Sequence, residues 1–341
     1  MAPTLTQVAK HAGVSLSTAS RAFSDPDRLG PETLRKILVA AQELGYRPPA
    51  ARLADGPERE STTVGVVVPD VANPVFGAFV KASQGEGWHY KQTVLLVDTD
   101  FSADREREAL VHLRERVDGL VVCSPRLGAE DVLDLCGRVP TVLVNREASG
   151  ADCIVADASD GLRQAIDYLA ALGHQRLAYV QGSARSWSNT HRVALARELT
   201  AQAGVELQLL GSQAETVAGG TAAAASVVAS GASAVIAHND LVALGVVAGA
   251  RALRVRTPED LSVIGIDDSP LAAVSDPALT TIAVPMARAG ALALATLRRG
   301  VAGDRPTPRT VRLPTQLVVR ASTGPAATRS ARPASLTEEL A

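Results

Sequence analysis

Hydrophobic positions follow two different rhythms along this chain, and the change falls near residue 62. Over the first 47 residues they recur at helical spacing. Val8, Ala9 and Ala12 mark one face of a first helix of about residues 7–12, capped by Thr4 or Thr6. Gly13 stops it, since glycine can take the left-handed conformation that ends a helix. Ser15 caps a second helix, Leu16 to about Phe23, with Ala19, Ala22 and Phe23 inward and Leu16, Ser17, Ser20 and Arg21 outward. Val14 drops between the two. Gly30-Pro31 opens a third, where Glu32 suits the first-turn dipole and Leu34, Ile37, Leu38, Ala41 and Leu44 form the apolar stripe. Gly45 ends that helix, followed by Tyr46 and Pro48.

From Thr62 the apolar residues come instead as short continuous runs of strand length: TVGVVVPD, TVLLVD at 93–98, GLVVCS and TVLVN. A second set begins near Cys153 with CIVAD and continues through RLAYVQG, VELQLL, SAVIAH and SVIGID. Between them the spacing predicts helices from about Pro74, over 104–117, a short one before TVLVN, then 158–172, 188–203, 219–229 and 239–253. Strands alternating with helices imply right-handed crossovers and parallel sheets covered on both faces. The predicted fold class is α/β, with a small all-α headpiece and a two-lobed body whose cleft lies at the C-terminal ends of the strands. Gly85 and Gly87 fall inside the first body helix, each at about 1 kcal/mol relative to alanine, so that helix is expected to end early or kink.

Composition narrows the class. With 341 residues, 46% hydrophobic and 21% charged, the chain has room for such a body and its appendage. It holds no run of about twenty apolar residues and no basic-then-apolar leader, which predicts a soluble, cytoplasmic protein with no membrane partner. Cys123, Cys136 and Cys153 are odd in number and widely spaced, and read as packed small hydrophobes rather than disulfides or zinc ligands. A net charge of −2 means that any contact with DNA is local. Up to Arg52 the cations Lys10, Arg21, Arg28, Arg35, Lys36, Arg47 and Arg52 modestly outnumber Asp25, Asp27, Glu32 and Glu43.

A short helix with a small, hydroxylated, cationic outer face fits the DNA major groove, where Arg reads guanine and Ser or Leu meets base edges or a thymine methyl. By spacing alone an ordinary helical hairpin remains the alternative. The wording goes further: Val8 to Phe23 carries V-A-x-x-A-G-V-S-x-x-T-x-S-R-x-F. This closely resembles the headpiece of the lactose-repressor (LacI/GalR) family of transcriptional regulators. The resemblance implies that Leu16, Ser17 and Arg21 read bases, and Thr4, Thr18 and Ser20 join them as candidate DNA contacts. Ala19 and Ala22 stand where that family usually has valines, a loss of core volume rather than of readout. The family's linker motif P-N-x-x-A-R-x-L reads here as Pro48-Pro49-Ala50-Ala51-Arg52-Leu53, shorter and with proline for asparagine. Leu53 is the candidate minor-groove wedge, with a simple tether as the alternative. The resemblance extends over about residues 4–323 and implies a body like a periplasmic sugar-binding protein. The expected domains are a headpiece at 1–47, a hinge at 48–61, the ligand-binding and dimerisation body at 62–323, and a disordered tail at 324–341.

Ligand chemistry belongs in the loops after strands. Asn73 either bonds a ligand or caps the next helix, and Phe76 either walls the cleft or packs in the core. Arg146 reads equally as ligand contact and lobe-closing ion pair. Arg192, in the first turn of a helix opened by Ser188 and Asn189, matches the family's S-x-x-R arginine and offers a planar fork to hydroxyls or a carboxylate. Trp187 lies either against a sugar face or in a core or dimer contact. Asn239 and Asp267 fall in the family motifs A-N-D-x-x-A-x-G and V-G-x-D-D. Asp267 can accept two hydrogen bonds from vicinal hydroxyls, whereas Asp240 and Asp268 read as capping or loop-bracing residues. Arg, Asp and Asn together suit a small neutral hydroxyl-rich effector, a sugar first and a nucleoside second.

Two other functions fit the sequence less well. An α/β enzyme lacks its parts: no G-x-G-x-x-G follows the first strand, and no P-loop, H-E-x-x-H or G-x-S-x-G occurs. An exported sugar-binding protein needs a leader and has no use for a helix-turn-helix. The expectation is a transcriptional regulator, by family default a repressor, without catalysis, cofactor or metal. It acts as a homodimer or higher assembly on double-stranded operator DNA, under the control of the effector.

Overall fold

The computed structural model describes residues 4–24, 29–44, 46, 62–303 and 307–326. The chain divides into two units, Met1–Glu60 and Ser61–Ala341.

The first unit contains α1 (Leu5–Ala12), α2 (Leu16–Ser24) and α3 (Pro31–Leu44). Thr4 opens α1 through a reciprocal capping box: its hydroxyl accepts the Gln7 backbone N–H and the Gln7 side-chain amide oxygen accepts the Thr4 N–H at 2.7 Å. Gly13 closes it at φ +68°. The Ser15 hydroxyl accepts the Thr18 N–H at 3.1 Å and opens α2. Val8, Ala9, Ala19, Ala22, Ile37, Ala40 and Ala41 form a thin core, with Val14, Phe23, Leu34 and Leu44 packed on it. Leu38 departs from the expected stripe. It is 46% exposed, because α3 packs along the Ile37, Ala41, Leu44 line with Ala40 beside it, and Leu38 lies one residue off that seam.

The second unit begins with β1 (Thr63–Val68), α4 (Pro74–His89), β2 (Thr93–Asp98), α5 (Ala103–Leu113), β3 (Gly119–Cys123), α6 (Ala129–Cys136), β4 (Thr141–Val144) and β5 (Asp152–Asp157). It continues with α7 (Ser159–Ala171), β6 (Arg176–Val180), α8 (Trp187–Ala203), β7 (Glu206–Leu210), α9 (Val217–Ala229), β8 (Ala234–Ala237) and α10 (Asp240–Ala252). β9 (Ser262–Asp267), α11 (Pro270–Val274), β10 (Thr280–Ala283), α12 (Met286–Val301), β11 (Thr310–Pro314) and β12 (Gln316–Val318) complete it. One sheet has the order β11-β5-β4-β3-β1-β2, all parallel; the other is β12-β10-β9-β8-β6-β7, with only β12 antiparallel. Both reverse strand order beside their first strand, between β1 and β3 and between β6 and β8, and such switch points open a crevice at the C-terminal strand ends.

The strand at Asp152–Asp157, expected to start the second lobe, belongs to the first sheet, where it pairs with β4 and β11. Chain order alone does not say which sheet a buried strand joins, and the second lobe starts at α7. The chain therefore crosses between lobes three times: from β5 to α7, from β10 to α12 and from β11 to β12. Thr315 stitches two crossings together, donating to the Asp157 carbonyl at 2.7 Å and accepting the Gly161 N–H at 3.2 Å.

Nor does α4 break at its glycines. It runs through to His89, and a Cβ on Gly87 would sit 2.8 Å from Val94 and 3.3 Å from Leu294, so this glycine lets α4 lie against β2 and α12. At the other end the body continues past residue 323: the Gly324 N–H bonds the Ser262 hydroxyl, and the Ala326 N–H bonds the Leu172 carbonyl at 2.9 Å. The linker with Leu53, and residues 327–341, lie outside the described residues. Among the described residues no helix is long and apolar enough to cross a membrane.

Candidate functional site

In the headpiece, α2 has an exposed face of small and polar side chains. Leu16 is 50% exposed, Ser17, Ser20 and Arg21 are exposed beside it, and Thr18 is half-buried. Ser15 is the hub of a local hydroxyl network, 2.9 Å from the Ser17 hydroxyl and 2.7 Å from that of Thr18. Thr4 is exposed at the start of α1, where its side chain is engaged by the capping box.

In the body a cavity of about 40 Å³ lies between the lobes, lined by the loops after β1, β3, β4, β6, β8 and β9 and by the segment before α9. Five expected residues meet there: Asn73, Phe76, Arg192, Asn239 and Asp267. Asn73 caps α4 through the Val75 N–H at 3.2 Å while lining the cavity, and Phe76 belongs to the core as well as the wall. Arg192 donates to the His238 carbonyl at 2.9 Å. Asn239 accepts the Val242 N–H at 2.8 Å and donates to the Glu215 carbonyl at 3.2 Å. Burial, reinforced by the nearby Asp240 charge, pushes the Asp267 carboxyl well above the usual carboxylate range.

Arg146 and Trp187 are not among the lining residues. The Arg146 guanidinium turns to the Leu127 carbonyl, and the Trp187 ring stacks on His191 with centroids 5.0 Å apart. Asp240 and Asp268 brace loops. Asp240 accepts the Ser269 N–H at 2.7 Å, and Asp268 accepts from Arg320 at 2.6 Å.

Of the eight non-glycine residues at positive φ among the described residues, three line this cavity. Ser124, Asn145 and Asp267, all lining it, have φ of +49°, +52° and +129°. Non-glycine residues held in such conformations gather at functional sites, where the surrounding fold over-determines them.

The architecture is matched by known proteins. Residues 4–49 match the family described as bacterial regulatory proteins, lacI family, and residues 166–323 match the periplasmic binding protein-like domain. The HTH-type transcriptional regulator GalS of Salmonella typhimurium is 33% identical over 308 residues, covering 88% of this chain and 90% of GalS. The chain belongs to the lacI family. Among solved structures, the lac repressor dimer bound to operator and the anti-inducer ONPF is similar at a TM-score of 0.71 and 25% identity, over 95% of this chain and 100% of that one. The complex of transcriptional regulator CelR with cellobiose is similar at a TM-score of 0.69 and 28% identity, over 94% and 99% of the two chains.

The cleft of this lacI-family chain also holds residues that the sequence reading passed over. Arg126, in the loop after β3, reaches across the cleft to Glu215 before α9, with Nη2 2.8 Å from Oε2 and side chains only 2% and 7% exposed. His238 Nε2 lies 3.7 Å from the other Glu215 oxygen, which also accepts the Ser183 N–H at 3.2 Å. Burial alone would raise the Glu215 carboxyl, but the His238 and Arg126 partners outweigh it and hold it down to about 2. Burial pushes the His238 imidazole down. Asn145 donates to the Ser124 hydroxyl at 3.2 Å and accepts the Ala156 N–H at 3.1 Å, fixing the floor of the cleft. Both partners of the ion pair sit in segments flanking strand ends, so surveying every such loop for charge would have found them.

Proposed function

We propose that this chain is a sequence-specific DNA-binding transcriptional regulator, acting as a repressor, whose operator affinity is set by a small hydroxyl-rich effector in the interlobe cleft. The observation that carries this reading is the pairing in one chain of an exposed Leu16, Ser17, Ser20, Arg21 face with a cleft lined by Arg192, Asn239 and Asp267. Leu16, Ser17 and Arg21 read bases, Thr4, Thr18 and Ser20 add contacts, and Leu53 serves as wedge. A guanidinium and a carboxylate facing one cavity suit vicinal hydroxyls. Cellobiose in the similar CelR structure supports a sugar as the effector class. Arg146 and Trp187 act at the margin of the site rather than in its wall.

The working unit in this reading is a homodimer on a two-fold operator, as the lac repressor dimer on operator supports. Exposed apolar side chains supply the dimer surface: Trp88, 87% exposed, with Leu95 and Leu96 on the edge strand β2, and Leu271 and Val274 on α11. DNA binding places the protein's work in the cytoplasm, and the cleft binds rather than catalyses.

The test is an operator titration with a sugar panel that includes cellobiose, using DNA selected from random sequence by the full chain. Operator affinity shifts with at least one sugar the body binds. An affinity indifferent to every bound sugar overturns the coupling.

A further inference from the structure

We infer that Arg126 and Glu215 form a latch that holds the two lobes shut without a ligand, so that any effector enters by displacing it. This rests on the effector reading above and concerns how that same site is regulated.

Each half of the latch is built into its own lobe. On the first lobe, Glu106 accepts the N–H groups of Arg126 at 2.7 Å and Leu127 at 3.2 Å, and the Arg126 guanidinium lies 5.0 Å from the centroid of the Phe101 ring. On the second, Glu215 is held by the Ser183 N–H and through its own carbonyl by Asn239. The ion pair is therefore a bond between two braced bodies, not a contact of loose side chains. What it leaves open is about 40 Å³, against the roughly 300–1,000 Å³ of ordinary small-molecule pockets. With Arg126 and Glu215 in contact, that space is small for a sugar.

The latch is also displaceable. Arg126 Nε and His238 Nδ1 are both buried without a hydrogen-bond partner among the described residues. The closed cleft thus leaves two polar atoms unsatisfied beside the ion pair, at a cost that a hydroxyl-rich molecule can relieve. Parting the lobes exposes a guanidinium and a carboxylate that need new partners, and vicinal hydroxyls, which both donate and accept, serve each of them. The closed form is self-sufficient but imperfect, and a ligand must match both halves to replace it.

The experiment measures lobe separation in the full chain with no sugar present. Nitroxides go on Ala72→Cys beside Asn73 and Arg185→Cys beside Ser186, both exposed on the cleft rim. The native cysteines are buried. Labelled chains are diluted with unlabelled chain so that only distances within one chain are read by pulsed dipolar spectroscopy. The wild-type pairing gives a single short distance. Glu215→Gln and Arg126→Gln each add a longer-distance population, while Glu206→Gln, which breaks the exposed pair with Arg176, changes nothing. A wild-type chain already spread over long distances without sugar overturns the latch, as does a short distance that persists in Glu215→Gln. Neither result touches the effector reading, which stands or falls on the sugar titration alone.

Discussion

Asp240 at the start of α10 and Thr281 on β10 are joined by a 2.5 Å hydrogen bond, the threonine hydroxyl donating to a buried carboxylate. Burial pushes that carboxyl up to about 6 despite this bond and the Ser269 amide. Below 3.8, the ordinary value, both folded and unfolded forms carry the proton and nothing is lost. As pH rises towards 6, the unfolded chain releases the proton while the folded chain keeps it, so stability falls. Above about 6 the full penalty of about 3 kcal/mol applies. Asp240→Asn removes this titration. Its melting temperature minus that of the wild type should climb between pH 4.5 and 6.5; parallel curves would show that Asp240 is not the titrating group.

Arg21 is exposed on α2 and Ile37 is fully buried in the headpiece core, so alanine at the two positions separates readout from folding. Arg21→Ala should lose about 1–3 kcal/mol of operator binding while affinity for scrambled DNA drops far less. Ile37→Ala should cost about 2–5 kcal/mol in a core otherwise made largely of alanine, unfolding the headpiece and abolishing binding to both DNAs. Effector binding stays intact in both. Fluorescence anisotropy with the two DNAs checks this, and full discrimination by Arg21→Ala would mean that another face of the headpiece reads the bases.

The headpiece was legible because its signals are local: Thr4 to Gln7, Gly13 and Ser15 each act within four residues. Asp267 was legible for a related reason, since a carboxylate directly after a buried strand has few structural uses. For Arg126 and Glu215 only their charge at a strand end was legible, not their pairing, because neither local stretch reveals a partner 89 residues away. The same holds for β5, whose apolar run fits either sheet, and for Gly87, which reads as a helix weakness until Val94 and Leu294 are seen against it. Leu38 failed for lack of direction: periodicity predicts a stripe, but which of two adjacent lines faces the core depends on the neighbouring helix.

Val274 is 79% exposed on α11 and contributes little to the fold of its own lobe, whereas Leu96 on edge strand β2 is 37% exposed and packs mainly within its own lobe. Val274→Glu should leave the melting temperature within a few degrees of wild type, Leu96→Glu should lower it further because its side chain is partly buried, and both should shift the dimer towards monomer in sedimentation velocity. Operator affinity falls with dimerisation, because two tethered headpieces gain through effective concentration what one cannot. An unchanged dimer in both variants would place the interface elsewhere.

Asp267 carries the sharpest conflict between stability and binding. Its carboxyl faces the cavity, takes no hydrogen bond among the described residues, sits at φ +129°, and is pushed well above its ordinary range chiefly by burial. A carboxylate raised in this way costs stability once pH exceeds its unfolded value, so Asp267→Asn should raise the melting temperature of the ligand-free chain at pH 7. The same change replaces a carboxyl oxygen in the cavity wall by an amide N–H, and a buried partner left unsatisfied costs about 1–3 kcal/mol. Affinity for the sugar that shifts operator binding should therefore fall about 10–100-fold. Calorimetric titration beside thermal unfolding reads both. A variant that binds the sugar as tightly as wild type would remove Asp267 from the effector's contacts, and one that is also no more stable would mean that its carboxyl is not held out of water at all.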